Sequence, residues 1–528
     1  MSHSRIFAVF LGFCFASSTF TPAEEEADAL VIVGGSASGV AAAIAATRAG
    51  VDRVILTEAL PIVGGRMAET LGFGEQNRMK EGSLGGIWIE LQERVKSHYG
   101  KKVDTPEPHL MQEIFNSWLE ELDVEVLTGF VPAKVTMDGT RINSVESEDG
   151  RKISGTCFID ATYAGDLLPL AEISWTVGRE SRDTYNESLA GVILEIKDPP
   201  GKIVEDIHRT PISGFADDGK TLLPHVQGLT TDVTPGAGDT HLQCFNLYAC
   251  LTMNPELRVD LTEPENYDPA EFELLRREVI RKGNRVPFRI GGGVPNGKAK
   301  INDGVPLLLH WGLVGGGDSF PTAGSADRQK VREAHRDYTH ELLWFLQHDP
   351  SIDKKQREEF QKWGLPKDEF VGNGHWPWDV YIREGRRMKG DLILTQDDLF
   401  DKVAKKDSIA LGSFPVDSHV VQRLASPDGK AIVNEGGYLV EPPVYQIPYR
   451  SLLPKKEECT NLLVPVAMSC SRVAFNSLRV EPTWMTTGEA SGVAAALALK
   501  HHGGDTHSVN VEKLQEILRE ANVPLDLP

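Results

Sequence analysis

The residues of this chain that most clearly point to chemistry form a glycine-rich hexad, Gly34-Gly-Ser-Ala-Ser-Gly39. It fits the pattern G-x-G-x-x-G, with serine in place of the second glycine. Gly34 would permit a tight turn, Ser36 lies where the backbone approaches a pyrophosphate, and Gly39 would let a helix pack closely on a strand. The unpaired N–H groups at the start of that helix favour an anion. The hexad, with Gly35 and Ser38 inside its loop, therefore predicts phosphate binding.

A carboxylate follows at the spacing that dinucleotide sites use. Glu58 stands 24 residues after Gly34, where it would accept hydrogen bonds from both hydroxyls of a ribose. Gly64, Gly65 and Arg66 come next, and paired glycines there would let a loop lie close against a cofactor. The alternatives are an ordinary turn at the glycine pair and a strand-turn-helix unit that binds no ligand.

The elements predicted around these residues form a parallel βαβ unit. Residues 29–33 and 54–56 are apolar runs of strand length, and the alanine-rich segment 37–49 between them has high helix propensity. Short connections between them favour parallel strands. Further predicted elements are helices at 110–122 and 328–348, strands at 124–127, 133–137 and 156–160, a polar hairpin at 141–155, and a closing strand and helix at 461–466 and 486–500.

The composition sets limits on the class of partner. The chain has 528 residues, a formal net charge of −21 and 41% hydrophobic residues. Such a length predicts two or three packed units. The acidic balance disfavours nucleic acids and anionic membranes, because phosphate binding needs concentrated Lys and Arg. A small-molecule partner is therefore expected.

The N-terminus has the pattern of an export signal. Arg5 supplies positive charge, residues 6–15 are almost uniformly apolar, and small residues lead to Ala23 before an acidic run. This predicts a signal peptide at 1–23 and a secreted or periplasmic protein. The apolar run is too short for a membrane anchor. Cys14 offers lipidation as the alternative, but the bulky Phe13 precedes it where a small residue is expected.

Five cysteines remain after such cleavage, and none of them forms a CxxC pair. Structural zinc and iron–sulfur clusters therefore lack their usual ligand spacing, and no metal is predicted. Cys244 and Cys250 lie six residues apart. They would form a disulfide or remain two buried thiols.

Residues 30–65 resemble the FAD-binding N-terminus of glutathione-reductase-like flavoproteins, and more particularly the bacterial FAD-dependent oxidoreductase family. Segments of that family recur along nearly the whole mature chain: Phe158-Ile-Asp-Ala-Thr-Tyr-Ala-Gly-Asp166, Trp363-Gly-Leu365, Lys367-Asp-Glu-Phe370, Tyr381-Ile-Arg-Glu-Gly-Arg-Arg387, Asp417-Ser-His419, Pro448-Tyr-Arg-Ser-Leu-Leu-Pro454 and Arg479-Val-Glu-Pro482. The resemblance implies an FAD cofactor whose pyrophosphate lies on the hexad and whose adenosine ribose is held by Glu58. It also extends to heterodisulfide-reductase flavoprotein subunits, but this chain has no cysteine cluster for an iron–sulfur centre.

The resemblance assigns further cofactor contacts. Asp160 to Asp166 is similar to a strand-end motif that passes near the flavin, and residues 461–492, which include Gly488, resemble the closing strand and helix. Many relatives carry Gly-Asp after that strand, whereas this chain has Val466-Ala467. The resemblance then implies that the contact comes from Ser469, Ser471 or Arg472.

Candidate catalytic residues lie in the irregular region 167–456, where substrate recognition is expected. A flavin-dependent dehydrogenation needs a base near the leaving proton, and histidine suits that role because its pKa is near neutral. His419 is the first candidate, since Asp417 precedes it by two residues and would share its strand face, and His375 is the second. Arg383 and Arg387 would clamp an anionic substrate group, unless they belong to a salt-bridged surface.

These observations predict an α/β protein with a Rossmann-like, glutathione-reductase-like FAD-binding domain and an inserted α+β substrate domain. The FAD-binding domain would comprise 24–166 and 457–528, and the substrate domain 167–456. The predicted function is an exported dehydrogenase or oxidase of a small polar substrate such as a sugar or glycan fragment, with an unknown electron acceptor. The alternatives are a flavin monooxygenase, and a non-catalytic glycan-binding protein on a vestigial nucleotide-binding fold.

Overall fold

The computed structural model of the chain describes residues 29–291, 293–302 and 309–528. The predicted signal peptide at 1–23 lies outside the described residues. Within the described part, no helix has both the length and the apolar character needed to cross a membrane.

The helices vary from single turns to the long α8 and α12. They are α1 Ala37–Arg48, α2 Arg66–Glu69, α3 Gly86–Tyr99, α4 Pro108–Glu120, α5 Leu167–Leu170, α6 Arg182–Tyr185, α7 Glu273–Arg281, α8 Ser325–His348, α9 Lys354–Phe360, α10 Gln396–Phe400, α11 Arg472–Leu478, α12 Glu481–His502 and α13 Val511–Glu520.

The strands are short, and most of them lie in the middle of the chain. They are β1 Leu30–Val33, β2 Val54–Glu58, β3 Glu125–Thr128, β4 Pro132–Asp138, β5 Arg141–Ser147, β6 Lys152–Ser154, β7 Cys157–Asp160, β8 Trp175–Thr176, β9 Lys202–Glu205, β10 His208–Thr210, β11 Gly228–Leu229, β12 Phe245–Asn246, β13 Cys250–Thr252, β14 Arg258–Val259, β15 Lys298–Lys300, β16 Gly312–Leu313, β17 Leu365–Pro366, β18 Arg387–Met388, β19 Ser408–Gly412, β20 Val416–Ser418, β21 Gln422–Ala425, β22 Ile432–Glu435, β23 Tyr438–Glu441, β24 Tyr445–Pro448 and β25 Leu462–Leu463.

A five-stranded parallel sheet organises the predicted FAD-binding domain, with the strand order β25-β7-β1-β2-β3. Its central strand β1 pairs with β2 on one side and β7 on the other, so that Leu30 lies opposite both Val54 and Cys157. All four residues of β1 are buried, as expected for a parallel strand covered on both faces. The parallel sheet and its crossover helices confirm the predicted α/β, Rossmann-like fold.

The sheet brings together distant parts of the chain, because β25 near the C-terminus pairs with β7. This strand has only two residues, which is shorter than the predicted 461–466, and Pro465 lies two residues after its end. Proline has no N–H to donate to a sheet. The predicted polar hairpin is also present, and it forms a separate antiparallel sheet of β4, β5 and β6. The domain limits at 166 and 456 remain predictions.

Helices α1 and α12 pack against each other at very short range. A Cβ atom on Gly488 would collide with the carbonyl oxygen of Ser38, and one on Gly492 would collide with that of Ala42. The alanine-rich surface of α1 makes this approach possible. Gly488, predicted as a cofactor contact, therefore lies at a helix–helix crossing in this structure.

The middle of the chain has a hydrophobic core of its own, built on the long helix α8 and rich in aromatic residues. Phe272, Tyr338 and Phe345 pack together there, with ring centroids 5.3–6.2 Å apart. The described cysteines are all buried, and Cys244 and Cys250 form no disulfide with each other.

Candidate functional site

The predicted phosphate loop lies at the end of β1 and leads into α1. Ser36 caps the helix: its Oγ accepts a hydrogen bond from the Gly39 N–H at 3.3 Å and donates one to the Ala161 carbonyl at 2.7 Å. The Oγ of Ser38, the second residue of α1, is buried and has no hydrogen-bond partner among the described residues. The serine at the second glycine position thus ties the loop to the end of β7, whereas the Ser38 hydroxyl lies beside Gly488 of α12.

Both outer glycines of the hexad are required by their surroundings. Gly34 has φ +104°, and a Cβ there would lie 2.6 Å from the Ala161 carbonyl carbon. A Cβ on Gly39 would collide with the carbonyl oxygen of Gly34. The backbone is therefore packed as the motif predicts, with helix, strand and loop in close contact.

Glu58 closes the same end of the sheet. Its carboxylate accepts hydrogen bonds from the N–H groups of Gly35 at 2.7 Å and Leu60 at 2.8 Å. Burial raises the pKa of Glu58 to about 7, with a further contribution from Asp379, although the backbone N–H donors oppose the shift. A ligand that offered more hydrogen-bond donors would favour the ionised form.

Gly34, Ser36 and Glu58 line one cavity, which we call the first cavity. Its wall combines the phosphate loop, the ends of β2 and β7, and residues of the middle region, and it is lined by Val33, Gly34, Ser36, Glu58, Ala59, Leu60, Glu69, Phe130, Pro132, Ala161, Thr162, Tyr163, Ala164, Asp166, Phe320, Arg328, Arg332, Asp379 and Ile382. The helix N-terminus suits a phosphate, and the carboxylates suit hydroxyl or amino donors.

A second cavity lies beyond Arg66. It is lined by Gly74, Glu75, Asn77, Arg78, Glu205, Tyr248, Lys300, Asn302, Tyr381, Phe414, Asp417, His419, Leu439 and Arg479. The cavity encloses about 200 Å³. Its polar groups converge from many segments of the chain, which is typical of a site for a small molecule.

Arg66 lies between the two cavities in a cage of aromatic rings. Its guanidinium stands 4.2 Å from the ring centre of Tyr163, 4.3 Å from Tyr381 and 4.8 Å from Trp484. Tyr163 lines the first cavity and Tyr381 the second. Arg66 also lies 3.8 Å from Glu481, at the start of α12. Arg66 thus contacts one wall residue of each cavity.

His419 and Asp417 both line the second cavity. His419 Nε2 lies 3.6 Å from Asp417 Oδ1, and Arg479 Nη2 lies 3.4 Å from Asp417 Oδ2. Burial alone would raise the pKa of Asp417, but His419, Arg479 and Arg383 hold it well below its ordinary value. Asp417 is therefore an ionised partner that orients the imidazole.

A comparison with known protein families identifies the family of this chain. A family model described as FAD dependent oxidoreductase matches residues 29–518. The chain belongs to the FAD-dependent oxidoreductase family. The family assignment confirms the expected FAD cofactor and the expected class of enzyme.

Solved structures show partial likeness. The T. acidophilum thioredoxin reductase is 18% identical over 26% of this chain and 35% of its own, with a TM-score of 0.18. A flavin-containing monooxygenase from Stenotrophomonas maltophilia is 18% identical over 30% of this chain and 44% of its own, with a TM-score of 0.19. The alignments thus span less than half of either protein. A search of curated proteins found no match.

The residues of the first cavity fit FAD. The N-terminus of α1 would hold the pyrophosphate, and Glu58 would hold the ribose. A Cβ on Gly65 would come within 3.0 Å of the Ala37 nitrogen, so this loop lies directly over the phosphate loop, as the glycine pair predicts. The roles of these residues stay predictions, but their positions agree with them.

Other predicted cofactor contacts have different surroundings. Asp160 is fully buried and accepts hydrogen bonds from Thr162 and Leu167, which stabilises the turn after β7. Asp166 does line the first cavity, but it is ion-paired with Arg328 at 2.6 Å.

Ser471 and Arg472 are held within the protein. The Ser471 hydroxyl donates to Glu187 at 2.5 Å and caps α11, and Arg472 pairs with Glu384 at 2.6 Å. Both side chains are buried. The structure therefore shows internal partners for both side chains, and the phosphate or ribityl contact that the resemblance implied stays a prediction.

The two arginines of the predicted substrate clamp have internal partners, and their role stays a prediction. Arg387 is buried and ion-paired with Glu180 at 2.6 Å, and Arg383 is buried and donates to the Cys244 carbonyl at 2.7 Å. Arg383 also lies 5.1 Å from the ring of Tyr381, so it supports the wall of the second cavity from behind. Neither arginine is among the residues that line the first or the second cavity.

His375 lies apart from His419. It follows the 3-10 turn at Val371–Asn373. Its Nδ1 lies 3.1 Å from the Glu369 carbonyl oxygen, and its φ is +70°. His419, by contrast, lines a cavity together with Asp417. Of the two histidines, the geometry favours His419.

Sequence reasoning missed several residues that line the cavities. Glu69, Lys300 and Tyr248 lie in segments with no motif, and they become noticeable only in three dimensions. Tyr381 and Arg479 begin two of the family segments, so those segments did contain a signal. That signal indicated importance without indicating which side chain faces the site.

Proposed function

We propose that this protein is an FAD-dependent dehydrogenase or oxidase that acts on a small polar molecule bound in the second cavity. The observation that carries the proposal is the position of His419 and Asp417 in a cavity separated from the first cavity by Arg66 and its aromatic cage. Dehydrogenation needs a substrate that contacts both a base and the flavin, so the flavin end of FAD would have to reach the second cavity past Arg66.

The wall of the second cavity supports a polar substrate. Glu75, Asn77, Lys300 and Asn302 contribute charged and amide groups, and Tyr248 stacks on Tyr381 with ring centroids 4.6 Å apart. Hydrogen-bonding groups beside aromatic rings suit a sugar or glycan fragment, whose ring has polar edges and apolar faces. We therefore propose this substrate class.

The residues supply the acid–base part of the reaction. FAD, when bound, supplies a two-electron acceptor for the hydrogen that leaves carbon as hydride. The imidazole of His419 accepts the proton of the substrate hydroxyl, and Asp417 stabilises the resulting imidazolium. Loss of the hydride and the proton converts the alcohol into a carbonyl.

An anaerobic substrate panel tests the proposal. Purified protein with bound FAD is mixed with sugars, uronic acids and amines, and bleaching of the flavin absorbance is followed. We expect a polar alcohol to bleach the flavin without NAD(P)H. If the flavin bleaches only with NAD(P)H, and the reduced protein then consumes oxygen in the presence of substrate, the protein is a monooxygenase and the proposal is wrong.

We also propose export, on the charged, apolar and small-residue pattern of residues 1–23. Sequencing of the N-terminus of protein recovered from its native source tests this. We expect the mature chain to begin near Glu24. A pool that begins at Met1 or Ser2 would exclude cleavage at this site.

A further inference from the structure

Glu69 is a buried carboxylate without a partner. It is the last residue of α2, its relative exposure is 3%, and it lines the first cavity. None of the described residues forms a hydrogen bond or an ion pair with its side chain. A buried carboxyl group without a partner is costly, and such groups call for an explanation.

Other buried carboxylates of this protein show what Glu69 lacks. Glu58 accepts two backbone N–H groups, and Glu489 accepts the N–H of Ile87 at 2.9 Å. Glu369 is paired with Lys298 at 2.6 Å. Of these four carboxylates, Glu69 alone receives no hydrogen bond from the described residues, and it lines the first cavity. Its hydrogen-bond donor is therefore expected to belong to the molecule that fills the cavity.

The charges around Glu69 indicate the kind of donor. Burial raises the pKa of Glu69 well above its ordinary value, Glu58, Asp379 and Glu481 raise it further, and Arg332 opposes them. Three neighbouring carboxylates disfavour a phosphate at this point. Neutral donors such as hydroxyl or amino groups would be favoured, because they stabilise the ionised carboxylate.

We propose that Glu69 is a second adenosine-binding carboxylate, which accepts a hydrogen bond from a ribose hydroxyl or from the adenine 6-amino group of FAD. Glu58 and Glu69 line one cavity together with the phosphate loop. The proposal rests on the assignment of the first cavity to FAD. It gives the adenosine two carboxylate acceptors, where the sequence motif provides one.

Binding measurements test the proposal without any turnover. FAD is removed, and the apoprotein is titrated calorimetrically with FAD, ADP and FMN. Glu69→Ala should weaken FAD and ADP by about 10–100-fold, the range for a hydrogen bond to a charged group, and it should leave FMN unchanged. Glu489→Gln is the matched control, because Glu489 is equally buried but bonded to backbone, and ADP affinity should not change there.

Two analogues distinguish the donors. 2′-Deoxy-ADP lacks one ribose hydroxyl, and IDP lacks the 6-amino group. If Glu69 holds the hydroxyl, the penalty for 2′-deoxy-ADP disappears in Glu69→Ala. If it holds the amino group, the penalty for IDP disappears instead. Either result supports the proposal.

Equal ADP affinity in the parent and in Glu69→Ala would overturn it. Glutamine keeps the size of glutamate, so Glu69→Gln carries the same comparison if the alanine variant does not fold, with a smaller expected loss. Failure of the parent protein itself to bind FAD or ADP would instead refute the assignment of the first cavity, which is a separate result.

Discussion

The first and second cavities are built in different ways. The first cavity rests on backbone: a turn after β1, a helix N-terminus and the ends of two parallel strands, most of it within residues 33–69 and 160–166. The second cavity rests on side chains from at least five separated segments, among them those of Glu75, Tyr248, Lys300, Asp417 and Arg479. A backbone-built site leaves a motif in the sequence, whereas a site of converging side chains leaves isolated residues.

The largest effect is expected at the backbone of the first cavity. In Gly39→Val the new side chain would collide with the carbonyl oxygen of Gly34 and force α1 away from the loop. We expect loss of bound FAD, measured as the ratio of flavin to protein absorbance. Gly324→Ala is the control, because a Cβ there meets open space. Retention of FAD by Gly39→Val would show that close packing at the loop is dispensable.

The second effect concerns a side chain of the second cavity. His419→Ala should slow flavin reduction by about 10²–10⁴-fold, as for loss of a positioned base, while FAD content and melting temperature stay near those of the parent. Stopped-flow absorbance on a validated substrate measures the rate. His375→Ala serves as the control, and it should reduce flavin at the parent rate. Reduction at the parent rate by His419→Ala would remove His419 from the reaction.

A pH profile sharpens the contrast, because the first cavity contains a carboxylate with a raised pKa. The pKa of Glu58 is about 7 in the ligand-free protein, and hydrogen bonds from a ribose would lower it. Binding of FAD then releases a proton, so affinity should rise as the pH increases from 5 to 8, by at most about tenfold per unit for one proton. Calorimetric titration across that range measures it.

Glu58→Gln is the variant that isolates this contribution. It cannot ionise, so its FAD affinity should be lower at pH 8 and should depend less on pH. Glu489→Gln, which removes a carboxyl group with a pKa of about 7 that does not line the cavity, should keep the slope of the parent protein. An unchanged slope in Glu58→Gln would separate Glu58 from the ribose.

The smallest effect is expected at Lys300. Its ammonium group lines the second cavity with no ion-pair partner within 4.0 Å among the described residues, although the charge of Glu75 acts on it. Burial lowers the pKa of Lys300, and Glu75 opposes that shift. Lys300→Met should raise KM by a few-fold, about the value of one hydrogen bond, and leave kcat nearly unchanged. The surface variant Lys330→Met should leave steady-state kinetics unaltered.

The sequence was most informative where contact partners are close along the chain. The hexad, Glu58 and the glycine pair were all found from spacing, and the structure places them at one end of the parallel sheet. Helix α8 at Ser325–His348 and helix α4 at Pro108–Glu120 were predicted within a few residues from periodicity alone. Local propensity and a fixed strand-turn-helix geometry suffice for such features.

Three arginines show which features the sequence could not predict. Arg383 and Arg387 were predicted to clamp a substrate and Arg472 to contact the cofactor, and all three are buried with internal partners. Their partners are 88–207 residues away along the chain. No local pattern records which carboxylate or carbonyl will lie beside a guanidinium.

The sequence by itself therefore determined the sheet, the phosphate loop, the family and the FAD cofactor. The tertiary structure decided that Glu69 shares a cavity with Glu58, that Arg66 lies in an aromatic cage, and that His419 rather than His375 faces a cavity beside Asp417. The physical reason is the range of the interactions. Turn geometry and strand propensity act between neighbours in the chain, whereas burial, ion pairing and cavity formation depend on which distant segments pack together.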